Sequence, residues 1–168
     1  LAAFNLLLYT ETYPQEVAGL VCVECLSPLV FLVLIEKLKE YTAKSEAEKN
    51  EIEATIKELE KDMAVTSSPE SSWRGNSEKL DFAASREQAI KVKSLGDRPL
   101  VVLMAGIQPA STFGDVNEQA WKEAQLRISK MSTRGRMEVV ENVSHETIVS
   151  CEALLKVIQE VYNQVKRP

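Results

Sequence analysis

The stretch LLLYTETYPQEVAGLVCVE, residues 6–24, decides how the fold of this chain is interpreted. Its first part is rich in leucine and predicts a helix over residues 1–12, which Pro14 stops because proline cannot continue a helix. Its second part holds the run Ala18–Glu24, which is short, rich in β-branched residues and free of polar alternation. Such a run predicts a strand buried on both faces, as in a parallel sheet.

The same alternation of helix and strand continues towards the C-terminus. Further strands are predicted at Asp97–Gly106 and Arg136–Asn142, and helices over residues 80–94, over Val116–Ser132 and from about Ser150 to Lys166. This order predicts an α/β fold with a parallel sheet. The core-facing stripe of the last helix is predicted to consist of Leu154, Val157, Ile158, Val161 and Val165.

Residues 28–65 predict one long or two shorter amphipathic helices. Apolar side chains recur at helical spacing in their second part, which predicts a stripe packed on the core, and a dimerising coiled coil is the alternative. These side chains are Ile52, Ile56, Leu59 and Met63. The segments 66–79 and 108–115 are rich in Ser, Pro and Gly and predict loops.

Composition narrows the class of protein. The 168 residues, of which 45% are apolar and 27% charged, suit one domain, or one domain with an inserted subdomain. The net charge of -5 gives no support for nucleic-acid binding. The cysteines, Cys22, Cys25 and Cys151, are odd in number, which favours a reducing compartment and a cytoplasmic location. The apolar run Leu26–Leu38 is shorter than the roughly 20 residues that span a bilayer, so we do not expect a transmembrane helix. We expect this segment to pack on the core, without membrane contact; the alternatives are that it lines an apolar substrate pocket or touches a membrane surface.

The predicted sheet is incomplete. Three parallel strands alone would leave a long edge unpaired and their faces poorly covered. We therefore expect these strands to form one part of a larger sheet. The chain begins with Leu rather than Met, which predicts that a preceding segment was removed or left out.

Three segments together resemble α/β-hydrolases. Residues 6–24 resemble the helix and strand that follow the nucleophile in that family; RPLVVLMAG (98–106) resembles the next core strand, and MEVVENVSHETI (137–148) the last strand with its histidine loop. The resemblance implies the C-terminal part of an α/β-hydrolase parallel sheet with a helical cap insertion. Residues 1–26 and 97–168 would form the hydrolase core, and residues 27–96 the cap.

The nucleophile of that family is absent from this chain. α/β-Hydrolases carry it on a Gly-x-Ser-x-Gly turn between a strand and a helix. The nearest match, GNSEK at residues 75–79, lacks the second glycine and follows no predicted strand. The resemblance therefore implies that the serine lies at or just before Leu1, and that the first five core strands lie outside this chain. Alone, the chain would be inactive.

The resemblance also assigns the remaining chemistry. His145, the only histidine, would be the general base. The acid that orients it would be Glu24, at the end of the first strand, or a residue after the next strand, Asp115 or Glu118. Both positions remain open, with Glu24 narrowly preferred. The implied activity is that of a serine hydrolase cleaving an ester, amide or peptide bond of a small-molecule or acyl substrate through an acyl-enzyme.

The sequence contains no complete motif for a redox site, a zinc site or a nucleotide-binding site. Cys22 and Cys25 match a Cys-x-x-Cys pair, but there is no second pair and one distant histidine cannot complete a zinc site. We expect them to be buried as small apolar residues. No phosphate-binding glycine motif is present, so neither a metal nor a cofactor is predicted. The alternatives are a catalytically inactive hydrolase-fold binding or scaffold module, and an unrelated self-sufficient α/β domain.

Overall fold

The sheet is built from three runs of aliphatic residues. A computed structural model describes residues 2–64, 82–108 and 113–166. In these ranges β1 (Leu20–Val23), β2 (Leu100–Ile107) and β3 (Gly135–Ser144) pair in parallel, in the order β1-β2-β3. Helices connect them because parallel strands need long crossovers. The predicted α/β class with a parallel sheet is confirmed.

The helices follow the predicted order with small changes at their ends. Within the described ranges they are α1 (Ala2–Thr12), α2 (Pro28–Glu40), α3 (Glu46–Ala64), α4 (Phe82–Lys91), α5 (Gly114–Ser129) and α6 (Glu152–Lys166), with a 3-10 turn at Ile148–Ser150. Of the two alternatives predicted for residues 28–65, one long helix or two shorter ones, the structure has the two shorter helices, α2 and α3. The loop predicted at residues 66–79, and residues 109–112 of the second predicted loop, lie outside the described residues.

The prediction that β1 is buried on both faces is wrong. The strand is shorter than Ala18–Glu24, and only Leu20 and Cys22 are fully buried, whereas Val21 and Val23 are half-buried. The strand ends at Val23 because Glu24 adopts the left-handed conformation, with φ of 48°. The face that carries Val21 and Val23 is covered in part by α6.

Helix α6 corrects a second prediction. Val157 and Val161 are buried and Leu154 packs beside them, but Ile158 and Val165 are exposed by 48% and 39%. The three strands in the described ranges offer only a narrow surface, so α6 packs three of the five side chains predicted to face the core and leaves the other two exposed. At α5 the correction is local: Gly114 and Asp115, predicted as loop, form its first turn.

Helix α2 packs directly on the sheet-covering helix α5. Val30 and Val33 of α2 meet Ala120 and Ala124 of α5, where the small alanines allow close approach. Helix α3 joins the same layer through its apolar stripe, as predicted, and α4 packs beside α1. The division into a hydrolase core and a cap at residues 27–96 stays a prediction. No helix in the described ranges is long and apolar enough to cross a membrane.

Charged side chains reinforce the contact between α2 and α5. Arg127 binds Glu36 at 2.6 Å and Glu123 at 2.5 Å, and Lys37 lies 3.1 Å from Glu123. The hydrogen bond from Arg127, and then that from Lys37, lowers the pKa of Glu123. The ionised Glu123 carboxylate therefore stabilises the folded protein fully above its ordinary pKa of 4.5. This stabilisation is lost as the pH falls through the lowered pKa of the folded state. Because the Glu123 side chain is 33% exposed, solvent screens these ion pairs and the effect is modest.

Replacing Leu38 with alanine is expected to lower the free energy of unfolding by about 2–5 kcal/mol, because the leucine is 1% exposed and fills the contact between α2, α3 and α5. Urea denaturation followed by circular dichroism measures this change. Leu155→Ala is the matched control, since Leu155 is 69% exposed and its loss should cost less than about 0.5 kcal/mol. Equal, small effects of the two variants would show that α2 does not belong to the cooperative core.

Candidate active site

The carboxyl ends of the three strands meet at one edge of the sheet. Glu24 follows β1 directly, Ala105 lies near the end of β2, and His145 follows β3 directly. Because β2 lies between β1 and β3, groups that follow the two outer strands must reach across its end to meet. Glu24 and His145 do so, although 121 residues separate them.

Because Glu24 adopts the left-handed conformation, the main chain leaves the sheet at this residue. The Glu24 side chain then lies beside β2, where the main chain of β1 would otherwise continue. In the parallel ladder, Glu24 still donates its N–H to the carbonyl of Leu103 at 2.9 Å. The next β2 amide, Ala105 N–H, is instead taken by Glu24 Oε1 at 2.6 Å. The carboxylate therefore replaces a backbone carbonyl at the end of the strand. A left-handed non-glycine residue costs about 1–3 kcal/mol and persists only where its surroundings hold it.

His145 lies in a turn that hydrogen bonds fix on both sides. Thr147 N–H donates to the carbonyl of Ser144 at 3.1 Å, and Ser144 N–H donates to Thr147 Oγ1 at 3.0 Å. The Ser144 hydroxyl donates to Glu146, and this bond is the largest cause that lowers the pKa of the Glu146 carboxyl. Ile148, fully buried beneath the sheet, anchors the segment. The turn thus holds the imidazole above the edge of the sheet.

The two side chains form a pair that suits proton transfer. Glu24 Oε2 lies 3.3 Å from His145 Nδ1, slightly longer than the roughly 2.7–3.2 Å typical of an N–H···O hydrogen bond. The Glu24 side chain is 3% exposed, whereas that of His145 is 62% exposed. A carboxylate only accepts hydrogen bonds, so it favours the tautomer with the proton on Nδ1. The lone pair of Nε2 is then free to act as a base.

An open groove of about 520 Å³ leads along β1 to this pair. It is lined by Val21, Cys22 and Val23 of the strand, by Leu6 of α1 and by Trp121 of α5, with Glu24 and His145 at one end. Among the described residues, β1 pairs with β2 alone. In a parallel ladder, alternate residues point their N–H and C=O groups to opposite sides. Since Leu20 and Glu24 point theirs towards β2, those of Val21 and Val23 face the groove.

The other predicted acids lie elsewhere. Asp115 is exposed in the first turn of α5, and Glu118 is exposed one turn further along. Within the described ranges no hydrogen bond or ion pair joins either carboxylate to His145. Of the predicted residues, the structure brings together Glu24 and His145 and leaves Asp115 apart from them.

Cys22 and Cys25 offer no nucleophile. Cys22 and Cys25 are 3% and 6% exposed, which confirms that they are buried as small apolar side chains. The hydrogen bond to Cys25, together with burial, raises the pKa of Cys22. Its sulfur therefore stays a thiol at neutral pH, whereas the thiolate is the reactive form. In residues 2–64, 82–108 and 113–166, no cluster of three or more His, Cys, Asp or Glu side chains could hold a metal ion.

Sequence reasoning overlooked Gln125. This side chain is fully buried and makes two hydrogen bonds to the main chain of Cys25, 100 residues away. The sequence does contain a pattern that could have predicted its burial. Gln125 lies on the same helical stripe as Trp121 and Ile128, where it is the polar residue in an otherwise apolar row. A polar residue at such a position is buried only with a partner.

No protein-family model matches this chain, and no curated protein is similar to it in sequence. The assignment to a class of protein therefore depends on the motifs and on the geometry of the site.

Proposed function

We propose that this chain is the C-terminal part of a serine hydrolase of the α/β-hydrolase type, which cleaves an ester, amide or peptide bond. The observation that carries the proposal is the pair of Glu24 and His145 at the carboxyl edge of a parallel sheet. A carboxylate, an imidazole and a serine are the parts of a catalytic triad, and they are recognised by geometry and role. The serine would come from a strand outside this chain.

The edge of β1 that is unpaired among the described residues is where the strand that carries the serine would pair with this sheet. The backbone groups of Val21 and Val23 face the groove, so a further parallel strand can pair with β1 there. A nucleophile that follows this strand would lie at the same carboxyl edge as His145. In open parallel sheets, ligands bind outside the carboxyl ends of the strands.

The proposed reaction assigns each group one role. Nε2 of His145 takes the proton of the serine hydroxyl as the oxygen attacks the substrate carbonyl, and the imidazolium then gives that proton to the leaving group. Water hydrolyses the acyl-enzyme by the same route in reverse. Glu24 is a positioning residue, because it holds the imidazole through Nδ1. The apolar part of the groove, with Leu6 and Leu26, suits an acyl chain.

Treatment of the purified protein with a fluorophosphonate tests this proposal, since the reagent modifies serines that an adjacent base activates. Intact-mass analysis and N-terminal sequencing of every species first show whether the nucleophile strand is present, in the same polypeptide or a co-purifying one. We expect one serine to be labelled in that complete protein. A folded protein that contains the upstream strands and takes up no label would overturn the proposal and favour the inactive binding or scaffold module.

Asp115→Asn is expected to leave the rate of labelling unchanged within about twofold, because Asp115 is exposed and removed from His145, and such substitutions change free energies by less than about 0.5 kcal/mol. Labelling rates measured with substoichiometric probe provide the comparison with the wild-type protein. A loss as large as that of a His145 variant would identify Asp115, rather than Glu24, as the acid of the triad.

A further inference from the structure

Gln125 is the polar side chain that holds the segment carrying the acid. The N–H of Cys25 donates to Gln125 Oε1 at 3.1 Å, and Gln125 Nε2 donates to the carbonyl of Cys25 at 2.8 Å. The two bonds use both polar groups of one residue's main chain, so they fix its orientation as well as its position. Gln125 is fully buried and Cys25 is 6% exposed, so water does not replace these bonds.

The position of Cys25 makes this arrangement relevant to the site. Cys25 follows Glu24, whose left-handed conformation turns the main chain out of the ladder. Nothing intrinsic to a glutamate favours that conformation. The bond from Ala105 N–H fixes the carboxylate end of Glu24, and the bonds to Gln125 fix the main chain on its other side. Together they leave Oε2 directed at His145.

We infer that Gln125 is a positioning residue, which acts on His145 through Cys25 and Glu24 by holding Glu24 in its left-handed conformation. The inference deepens the proposed function and, as far as catalysis is concerned, rests on it. Its structural part, the control of the Glu24–His145 hydrogen bond, does not depend on any activity.

The experiment compares Gln125→Leu with Ser129→Ala. Leucine has a similar size but neither donates nor accepts, so both bonds to Cys25 are lost. Ser129 is a matched control: it lies on the same helix, is 2% exposed, and its hydroxyl donates to the carbonyl of Leu126 at 2.8 Å, away from Glu24. If Gln125→Leu does not fold, Gln125→Met replaces it, because methionine is unbranched and adapts to irregular space.

The first readout is the tautomer of His145, given by the ¹⁵N chemical shifts of its ring in the full protein and assigned by the loss of the signals in His145→Gln. We expect the Nδ1–H form in the wild type and in Ser129→Ala. In Gln125→Leu we expect the mixture of tautomers typical of a histidine in water. An unchanged ring signal in Gln125→Leu, with a changed one in Glu24→Gln, would overturn the inference. An unchanged signal in both variants would overturn the Glu24–His145 pair itself.

The second readout is kinetic. Gln125→Leu is expected to lower kcat by about 100-fold with little change in KM, because small displacements of a catalytic group have effects of this size. The double variant Glu24→Gln with Gln125→Leu is expected to be no slower than Glu24→Gln, since both changes act through one carboxylate. Additive losses would overturn the inference. A protein without activity whose ring signal responds as expected would reject the proposed function and retain the inference.

Discussion

His145→Ala is expected to lower kcat by roughly 10⁴- to 10⁶-fold in the complete protein, meaning this chain together with the proposed nucleophile strand. His145 is the only histidine of this chain, and its ring is 62% exposed above the carboxyl edge of the sheet. In the proposed mechanism, the loss of the imidazole removes both the base that takes the proton of the serine and the acid that protonates the leaving group. Steady-state hydrolysis of a p-nitrophenyl ester measures the loss, and KM should change little.

Val149→Ala is the matched control for this variant. Val149 belongs to the same segment and is 65% exposed, so its truncation should leave both kcat and the fold unchanged. Added imidazole should restore part of the activity of His145→Ala and none to a variant of the nucleophile, because it replaces only the missing base. Retention of wild-type activity in His145→Ala would remove His145 from the mechanism.

Glu24→Gln is expected to lower kcat by roughly 10⁴-fold, because it should place the proton of His145 on the wrong nitrogen. Glutamine has the shape of glutamate, and its carbonyl oxygen can accept the Ala105 N–H that Glu24 Oε1 accepts now. Its amide NH₂ then faces Nδ1 of His145 and requires a lone pair there. The ring proton moves to Nε2, which can no longer act as a base.

Two independent measurements check this prediction. The ring ¹⁵N signals of His145 should change from the Nδ1–H to the Nε2–H pattern, which a merely structural role of Glu24 would not produce. Fluorophosphonate labelling should slow to the same extent as kcat. Glu24→Asp provides the control for charge: it keeps the carboxylate but shortens the reach by one methylene, so the loss should be smaller than for glutamine. A wild-type ring signal in Glu24→Gln would contradict the proposed role.

The order of the elements was predictable because it depends on local chemistry. Pro14 ends α1, short aliphatic runs form buried strands, and the periodic stripe of residues 46–64 forms a helix with one packed face. The ends of the elements were less predictable. Strand β1 stops at Val23 because Glu24 turns left-handed. Helix α6 leaves Ile158 and Val165 partly exposed, because in the part of the chain that the structure describes the sheet beneath it has three strands.

The candidate site was predictable as a set of residues but not as a pair. The resemblance of residues 137–148 to a catalytic-histidine loop predicted His145 as the base, and the resemblance also offered several acids after the strands, among them Glu24 and Asp115. Choosing between these two carboxylates requires the distance of each from the imidazole. Periodicity and spacing say nothing about that distance, since it depends on which strand ends lie side by side.

The sequence by itself determined an α/β chain of alternating helices and parallel strands, with one histidine after the last strand, because proline, β-branched residues and apolar periodicity act over a few positions. Only the tertiary structure decided that Glu24 meets His145 across 121 residues, and that Gln125 holds Cys25 across 100. Contacts between residues so far apart in sequence depend on the order of the strands in the sheet and on the packing of α5 against the sheet. They also explain how a glutamate keeps a left-handed conformation that its own chemistry disfavours.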